Sequence, residues 1–203
     1  DADLLSALLA WLSGSDKVTQ AAKKDAGVKG EIGSKDAMAY LRGILEVVKA
    51  ARAESGITYV DFNTGHYDGD TYLDILEPYI RRVKEETNVM IGVQTPPHSD
   101  LSRYHELRRM GVNRVSFCFE IWNRERFVEV CPGKNREYGL DRYLEAIRYC
   151  AQEVGPTGRG FEPWVVNGEI IAGLESAEDS IRAIDWITSV GAIPTVCVFR
   201  PLQ

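Results

Sequence analysis

Polar side chains collect where short β-branched runs end and helical stretches begin, and those junctions are where this chain could do chemistry. Asn63-Thr64-Gly65-His66-Tyr67-Asp68-Gly69-Asp70 carries hydroxyl, imidazole and carboxylate groups on a glycine-containing loop. It also reads as a tight turn with Asp70 as helix N-cap. Gln94-Thr95-Pro96-Pro97-His98-Ser99-Asp100 is a second turn with a cap, in which His98 is either exposed or functional. Phe119-Glu120-Ile121-Trp122-Asn123 sets a carboxylate among apolar and aromatic neighbours. Burying it unpaired would cost several kcal/mol or shift its pKa, so Glu120 leads the candidates for a ligand contact. Lys134, in Val130-Cys131-Pro132-Gly133-Lys134, either belongs to a simple turn or offers a positive charge to a carboxylate or phosphate. In Val166-Asn167-Gly168-Glu169-Ile170-Ile171-Ala172-Gly173-Leu174-Glu175 polar residues interrupt an apolar run. That pattern suits backbone lying close to a flat ligand, or a β-bulge. Arg200 reads as a bidentate carboxylate partner or as a surface charge.

The elements that would position these groups alternate along the chain. Strands are expected at Ile57 to Asn63, Val89 to Gln94, Arg114 to Ile121, Trp164 to Ile171 and Ile193 to Phe199. Between them, helical periodicity runs over Asp70 to Glu86, Asp100 to Met110, Leu140 to Glu153 and Ala177 to Val190. In the first of these Leu73, Leu76, Ile80 and Val83 recur every three or four residues, a stripe suited to packing on a sheet. Gly111 and Gly191 follow two of the helices where a left-handed residue is cheapest as glycine. Ahead of the first strand, Lys35 to Glu54 forms another helix, with Ser34 as its cap. Repeated β/α units imply an α/β fold with a parallel sheet, a partial (β/α) barrel, whose ligands bind at the carboxyl ends of the strands.

Composition narrows the function. The 203 residues carry a net charge of -6, so no basic excess exists to neutralise nucleic acid or anionic lipid. No stretch approaches the roughly 18 to 20 apolar residues of a membrane span, and the opening Asp1 to Leu12 reads as an amphipathic helix without a basic leader. A cytoplasmic protein is expected, with residues 1–34 as N-terminal helix and linker and 35–203 as the barrel. Cys118, Cys131, Cys150 and Cys197 match no zinc or disulfide spacing and read as reduced, mostly buried thiols.

From about Lys35 to Leu202 the chain resembles the radical S-adenosylmethionine (SAM) enzymes, in particular their biotin-synthase-like branch. The resemblance rests on Gly168, Ile170 and Glu175, which match a Gly-x-Ile-x-Gly-x-x-Glu pattern supporting adenine, with Ala172 replacing the second glycine. Thr64-Gly65-His66 occupies the place of a Gly-Gly-Glu-like loop that contacts the methionyl amino group, without its second glycine and glutamate. The resemblance implies that the five strands are the second to sixth of a six-unit core. It implies that Glu120 and Asn167 contact the ribose and methionyl carboxylate, and that Val198 and Phe199 lie beside adenine. Its cofactors would be S-adenosylmethionine and a [4Fe-4S] cluster held by Cys-x3-Cys-x2-Cys. That motif does not occur in this sequence, and the chain is expected to be a truncated core with the cluster ligands upstream. An intact parent would generate a 5′-deoxyadenosyl radical, abstract hydrogen from a small-molecule substrate and draw electrons from a reductant protein. Two other readings stay open: an unrelated metal-dependent barrel lyase or hydrolase using His66, Asp70, His98 and Glu120, and a non-catalytic ligand-binding barrel.

Overall fold

A computed structural model describes residues 35–67, 69–156 and 163–200. The expected N-terminal helix and linker, residues 1–34, including the expected cap Ser34, lie outside the described residues. The chain divides into two compact units, residues 1–57 with 73–88, and residues 58–72 with 89–203.

The first unit contains α1 (Lys35–Ser55) and nearly all of α2 (Tyr72–Thr87). Leu41, Leu45 and Val48 on α1, and Leu73, Leu76, Ile80 and Val83 on α2, are buried. Both sets keep the three-to-four spacing that puts apolar residues on one helical face. Lys49 Nζ meets Glu86 Oε2 at 2.5 Å, and Arg52 donates to the Thr87 carbonyl, fastening the carboxyl halves of the two helices together. Pro78 sits inside α2.

The second unit is built on a sheet of five parallel strands, β1 (Tyr59–Asn63), β2 (Met90–Gln94), β3 (Val112–Glu120), β4 (Val165–Ala172) and β5 (Ile193–Val198). They stand in the order β1-β2-β3-β4-β5. Sequential order without reversal is what a barrel requires, whereas a doubly wound sheet reverses at a switch point. The expected partial TIM-type barrel is therefore the observed architecture. Strand boundaries differ from expectation by one or two residues, as β3 begins at Val112 and β1 at Tyr59.

The helices of this unit pack on one face. They are α3 (Arg103–Arg109), α6 (Leu140–Tyr149) and α7 (Ala177–Ser189). Phe117 stacks edge-on with Tyr104 of α3, their ring centroids 5.4 Å apart. Its register partner Gly168 leaves space filled by Ile187 of α7 and Ile147 of α6, whose Cδ1 atoms would lie 2.9 and 3.3 Å from an added Cβ. Glycine is required there because the helix side chains already occupy the volume. Gly111 and Gly191, at φ of 89° and 87°, end α3 and α7 as expected.

Three features depart from the sequence expectation. The helix expected over Asp100 to Met110 is shortened to seven residues, after a turn. The helix expected to reach Glu153 is α-helical only to Tyr149 and continues as a π-helical turn, Cys150–Val154, whose first carbonyl accepts the indole N–H of Trp164 at 3.0 Å. The segment after β3, read from sequence as a loop, either a simple turn or a carrier of the Lys134 charge, holds two short helices, α4 (Arg124–Val130) and α5 (Pro132–Glu137). Asn123 caps α4, its side chain accepting from Arg126 N.

Candidate functional site

Chemistry-bearing residues gather in two layers of the second unit, a rim at the carboxyl ends of the strands and a floor on the sheet face turned away from the helices. At the rim, the end of β3 is drawn into a tight three-residue turn in which Ile121 N donates to Phe119 O at 2.8 Å, with Glu120 at φ 67°. Positive φ on a non-glycine residue costs of order 1 kcal/mol or more and persists where surrounding contacts impose it. Here Lys134 imposes it. Its ammonium donates to Glu120 Oε1 at 2.5 Å and to Cys118 O at 2.6 Å, so the carboxylate expected to need a partner has one.

The loop after β1 meets the same region. Asn63 Oδ1 accepts from Gly65 N at 2.7 Å, and Thr64 N donates to Gln94 O at 3.2 Å, tying the loop to β2. The His66 ring stands edge-on to Tyr138, 5.8 Å between centroids, and close to Gly133. Gly69 N donates to Glu137 Oε1 at 2.9 Å. His66 and Gly69 are thus brought to α5, the helix that supplies Lys134 to Glu120, while Thr64 and Gly65 are held by Gln94 and Asn63.

Glu175 acts as a brace between loops. Its Oε2 accepts the backbone N–H groups of Trp122 and Asn123 at 2.9 and 2.8 Å, and Oε1 accepts from Ser180 Oγ at 3.3 Å. Beside it, Asn123 Nδ2 donates to Asp179 Oδ2 at 3.1 Å. The hydroxyl of Ser176, the α7 cap, is the largest reason that the Asp179 carboxyl is held below its usual range. Val198 ends β5 and Phe199 follows it, both exposed, at 72% and 46%. Phe199 N donates to Ala172 O, and Phe199 lies against the open side of Gly173. Gly168, and Ile170 two residues on, face the helices, whereas Asn167 faces the floor.

The floor was not anticipated beyond Asn167. Arg114 Nε donates to Asn167 Oδ1 and its Nη2 to Glu169 Oε1, both at 3.0 Å, while Nη1 reaches Tyr59 Oη at 3.3 Å. Tyr59 donates to Asp61 Oδ1 at 2.6 Å. Cys118 Sγ donates to Glu169 Oε2 at 3.0 Å, Gln94 donates to the same thiol, and Asn167 Nδ2 donates to Thr195 Oγ1 at 3.0 Å. One network therefore spans all five strands. Burial, and secondly the Asp61 carboxylate, push the Tyr59 phenol up to about 12, and burial raises the Asp61 carboxyl. Burial and then Glu169 push the Cys118 thiol far up, so it stays protonated. A sequence signal existed: Tyr59-x-Asp61-x-Asn63, Arg114-x-Ser116-x-Cys118 and Asn167-x-Glu169 put polar residues at period two, the spacing of one strand face.

The other candidates are structural or dispersed. His98 is buried, with Nε2 bonding the Asp70 carbonyl and Nδ1 accepting from Asp100 N, so it locks two loops. Asp70 accepts from Ser99. The cysteines correct the expectation of mostly buried thiols: all are free, Cys150 alone is fully buried, Cys118 and Cys131 are partly so, and Cys197 is exposed on β5, the last strand of the sheet. Among the described residues no group of three or more His, Cys, Asp or Glu could hold a metal ion. No described helix is long and apolar enough to cross a membrane. Arg200 is exposed.

With this geometry in place, comparison with known proteins addresses the fold. Coproporphyrinogen III oxidase (HemN) from Escherichia coli, described as a radical SAM enzyme, superposes with a TM-score of 0.53 at 20% identity over 78% of this chain and 36% of its own. The fold is one that a radical SAM enzyme uses. HydG, a maturase of the [FeFe]-hydrogenase, superposes with a TM-score of 0.52 at 12% identity, covering all of this chain and 59% of its own. In sequence, the bacteriochlorophyllide c C-7(1)-hydroxylase of Chlorobaculum limnaeum is 28% identical over 130 residues, 63% of this chain. The match spans 31% of that relative's length. A family described as BREX system ATP-binding protein BrxC/D matches residues 1–54, ahead of the sheet.

Proposed function

We propose that this chain forms part of the core of a radical SAM enzyme and binds S-adenosylmethionine across the carboxyl ends of β3, β4 and β5. The observation that carries the reading is the exposed Phe199, which follows β5 and lies against Gly173 at one end of a parallel barrel rim, while Val198, the register partner of Ala172, falls on the helix-facing side of the sheet. An uncovered apolar surface beside the β4 loop suits the face of a base. The Glu120–Lys134 pair offers an acceptor to ribose hydroxyls and a cation to the methionyl carboxylate. The Gly65 carbonyl lies on the loop that would take the amino group. Glu175 holds the β3 and β4 loops at fixed spacing, a positioning role. The match of Gly168, Ile170 and Glu175 to the biotin-synthase-like pattern supports that branch, with Gly168 and Ile170 acting by seating β4 against the helices.

S-adenosylmethionine, once reduced by one electron, supplies a radical that removes hydrogen from a substrate, and the protein's share is binding, orientation and exclusion of water. The described cysteines do not fit a [4Fe-4S] cluster, since Cys118, Cys131, Cys150 and Cys197 form no ligand group. On this reading the thiolates come from outside the described residues, as does the docking of a reductant protein.

Calorimetric titration of the chain with S-adenosylmethionine tests the proposal. Binding is expected, weakened about tenfold (1.4 kcal/mol) by Phe199→Ala and by Lys134→Met. A folded chain that takes up no S-adenosylmethionine would sink it.

A further inference from the structure

Closed β/α barrels fill their interior with layers of Val, Ile and Leu. The floor of this sheet is polar instead, and most of its members satisfy one another. Arg114 has its three nitrogens committed to Tyr59, Asn167 and Glu169, and both oxygens of Glu169 are occupied. Two members remain incomplete. Ser116 is 1% exposed and its Oγ has no hydrogen-bond partner. It shares the face of Arg114 and Cys118 by strand parity, between its register partners Gln94 and Asn167. Asp61 has only a neutral phenol as its hydrogen-bond partner, and with Glu169 it makes two carboxylates facing one guanidinium.

The backbone has been arranged to bring Asp61 there. Its register partner is Gly92, and an added Cβ at Gly92 would stand 1.7 Å from Tyr59 Oη and 2.1 Å from Asp61 Oδ1. No residue but glycine lets those groups lie across β2 toward the middle of the sheet. A buried hydroxyl without a partner is destabilising, and a ligand atom that bonds it removes that cost.

We propose that the floor binds a protonated amine of the substrate, with Asp61 as its counter-ion and Ser116 Oγ as an accompanying acceptor. An ammonium group has three donors and no acceptor, which matches a carboxylate and a hydroxyl lone pair. A carboxylate ligand would instead meet the two carboxylates of Asp61 and Glu169, with three of the five N–H groups of Arg114 already engaged. The word substrate rests on the function proposed above; the site itself does not.

The test is thermal unfolding and calorimetric titration of the chain with n-butylammonium, butan-1-ol and butyrate at neutral pH and matched ionic strength. Butylammonium alone is expected to bind and to raise Tm. Ser116→Ala should raise Tm of the free protein, because it removes an unpaired hydroxyl, yet weaken butylammonium at least threefold. Asp61→Asn should abolish its preference over butanol. Equal binding of the three probes, preference for butyrate, no binding, or an unchanged affinity in Ser116→Ala overturns the proposal. S-adenosylmethionine titrated in parallel separates the two readings. If it fails to bind while butylammonium binds, the function above falls and the amine site stands; the reverse result removes the amine site alone.

Discussion

Gly168→Ala is the substitution whose outcome the packing fixes most tightly. The new methyl would lie 2.9 Å from both Cγ1 and Cδ1 of Ile187 and 3.3 Å from Ile147 Cδ1. Ile187 and Ile147 are both fully buried, so neither can swing into solvent. Forcing a methyl into such a core costs about 1–3 kcal/mol. Replacing glycine offsets about 0.4–1 kcal/mol of this by restricting the unfolded chain. A net loss of about 1–2 kcal/mol is expected, or about 2–8 °C in Tm for a chain of this size. Ile187→Val removes one of the two clashing atoms, Cδ1, leaves Cγ1, and by itself costs about 0.5–1.5 kcal/mol. The double variant should recover part of the lost stability, with a coupling of at least about 0.5 kcal/mol. Urea unfolding followed by circular dichroism on the four proteins measures all of these values. S-adenosylmethionine affinity should be nearly unchanged in Gly168→Ala, because the methyl points at the helices. Additive effects, or a Gly168→Ala variant that keeps its stability and loses ligand affinity, would refute the placement of this glycine against α6 and α7.

Two further outcomes follow from the same contacts. Glu175→Ala strands the N–H groups of Trp122 and Asn123, and should cost about 2 kcal/mol in urea unfolding while Glu175→Gln recovers part of it. Burial raises the Asp61 carboxyl above its ordinary 3.8, so the folded state favours its protonated form. The stabilisation that this group contributes is full below about pH 3.8 and is lost as pH rises through the raised value. Asp61→Asn should therefore match wild-type stability in acid and exceed it increasingly above that range in a pH series of melts; a gain confined to acid would reverse the sign of the argument.

The alternation of β-branched runs with helical stripes is a local property, and it located five strands and, apart from the short α4 and α5, the helices between them to within a few residues. Glycine punctuation at Gly111 and Gly191 was legible for the same reason, since a left-handed helix end needs no tertiary partner to exclude other residues. Glu120 could be singled out because a carboxylate in an apolar run is costly wherever the strand lies.

Tertiary structure alone supplied the rest. Lys134 becomes the partner of Glu120 through two helices of seven and six residues, too short to be stable by propensity and held by the Asn123 cap and its neighbours. Gly168 faces helices because strand parity and the packing of Ile187 decide it, which no motif records. The floor depends on register: Asp61 meets Arg114 across Gly92, and Ser116 falls between Gln94 and Asn167, only because five strands distant in sequence align in one order. Hydrophobic period fixes which residues share a strand face, but the partner across each gap is chosen by the packing of the whole sheet.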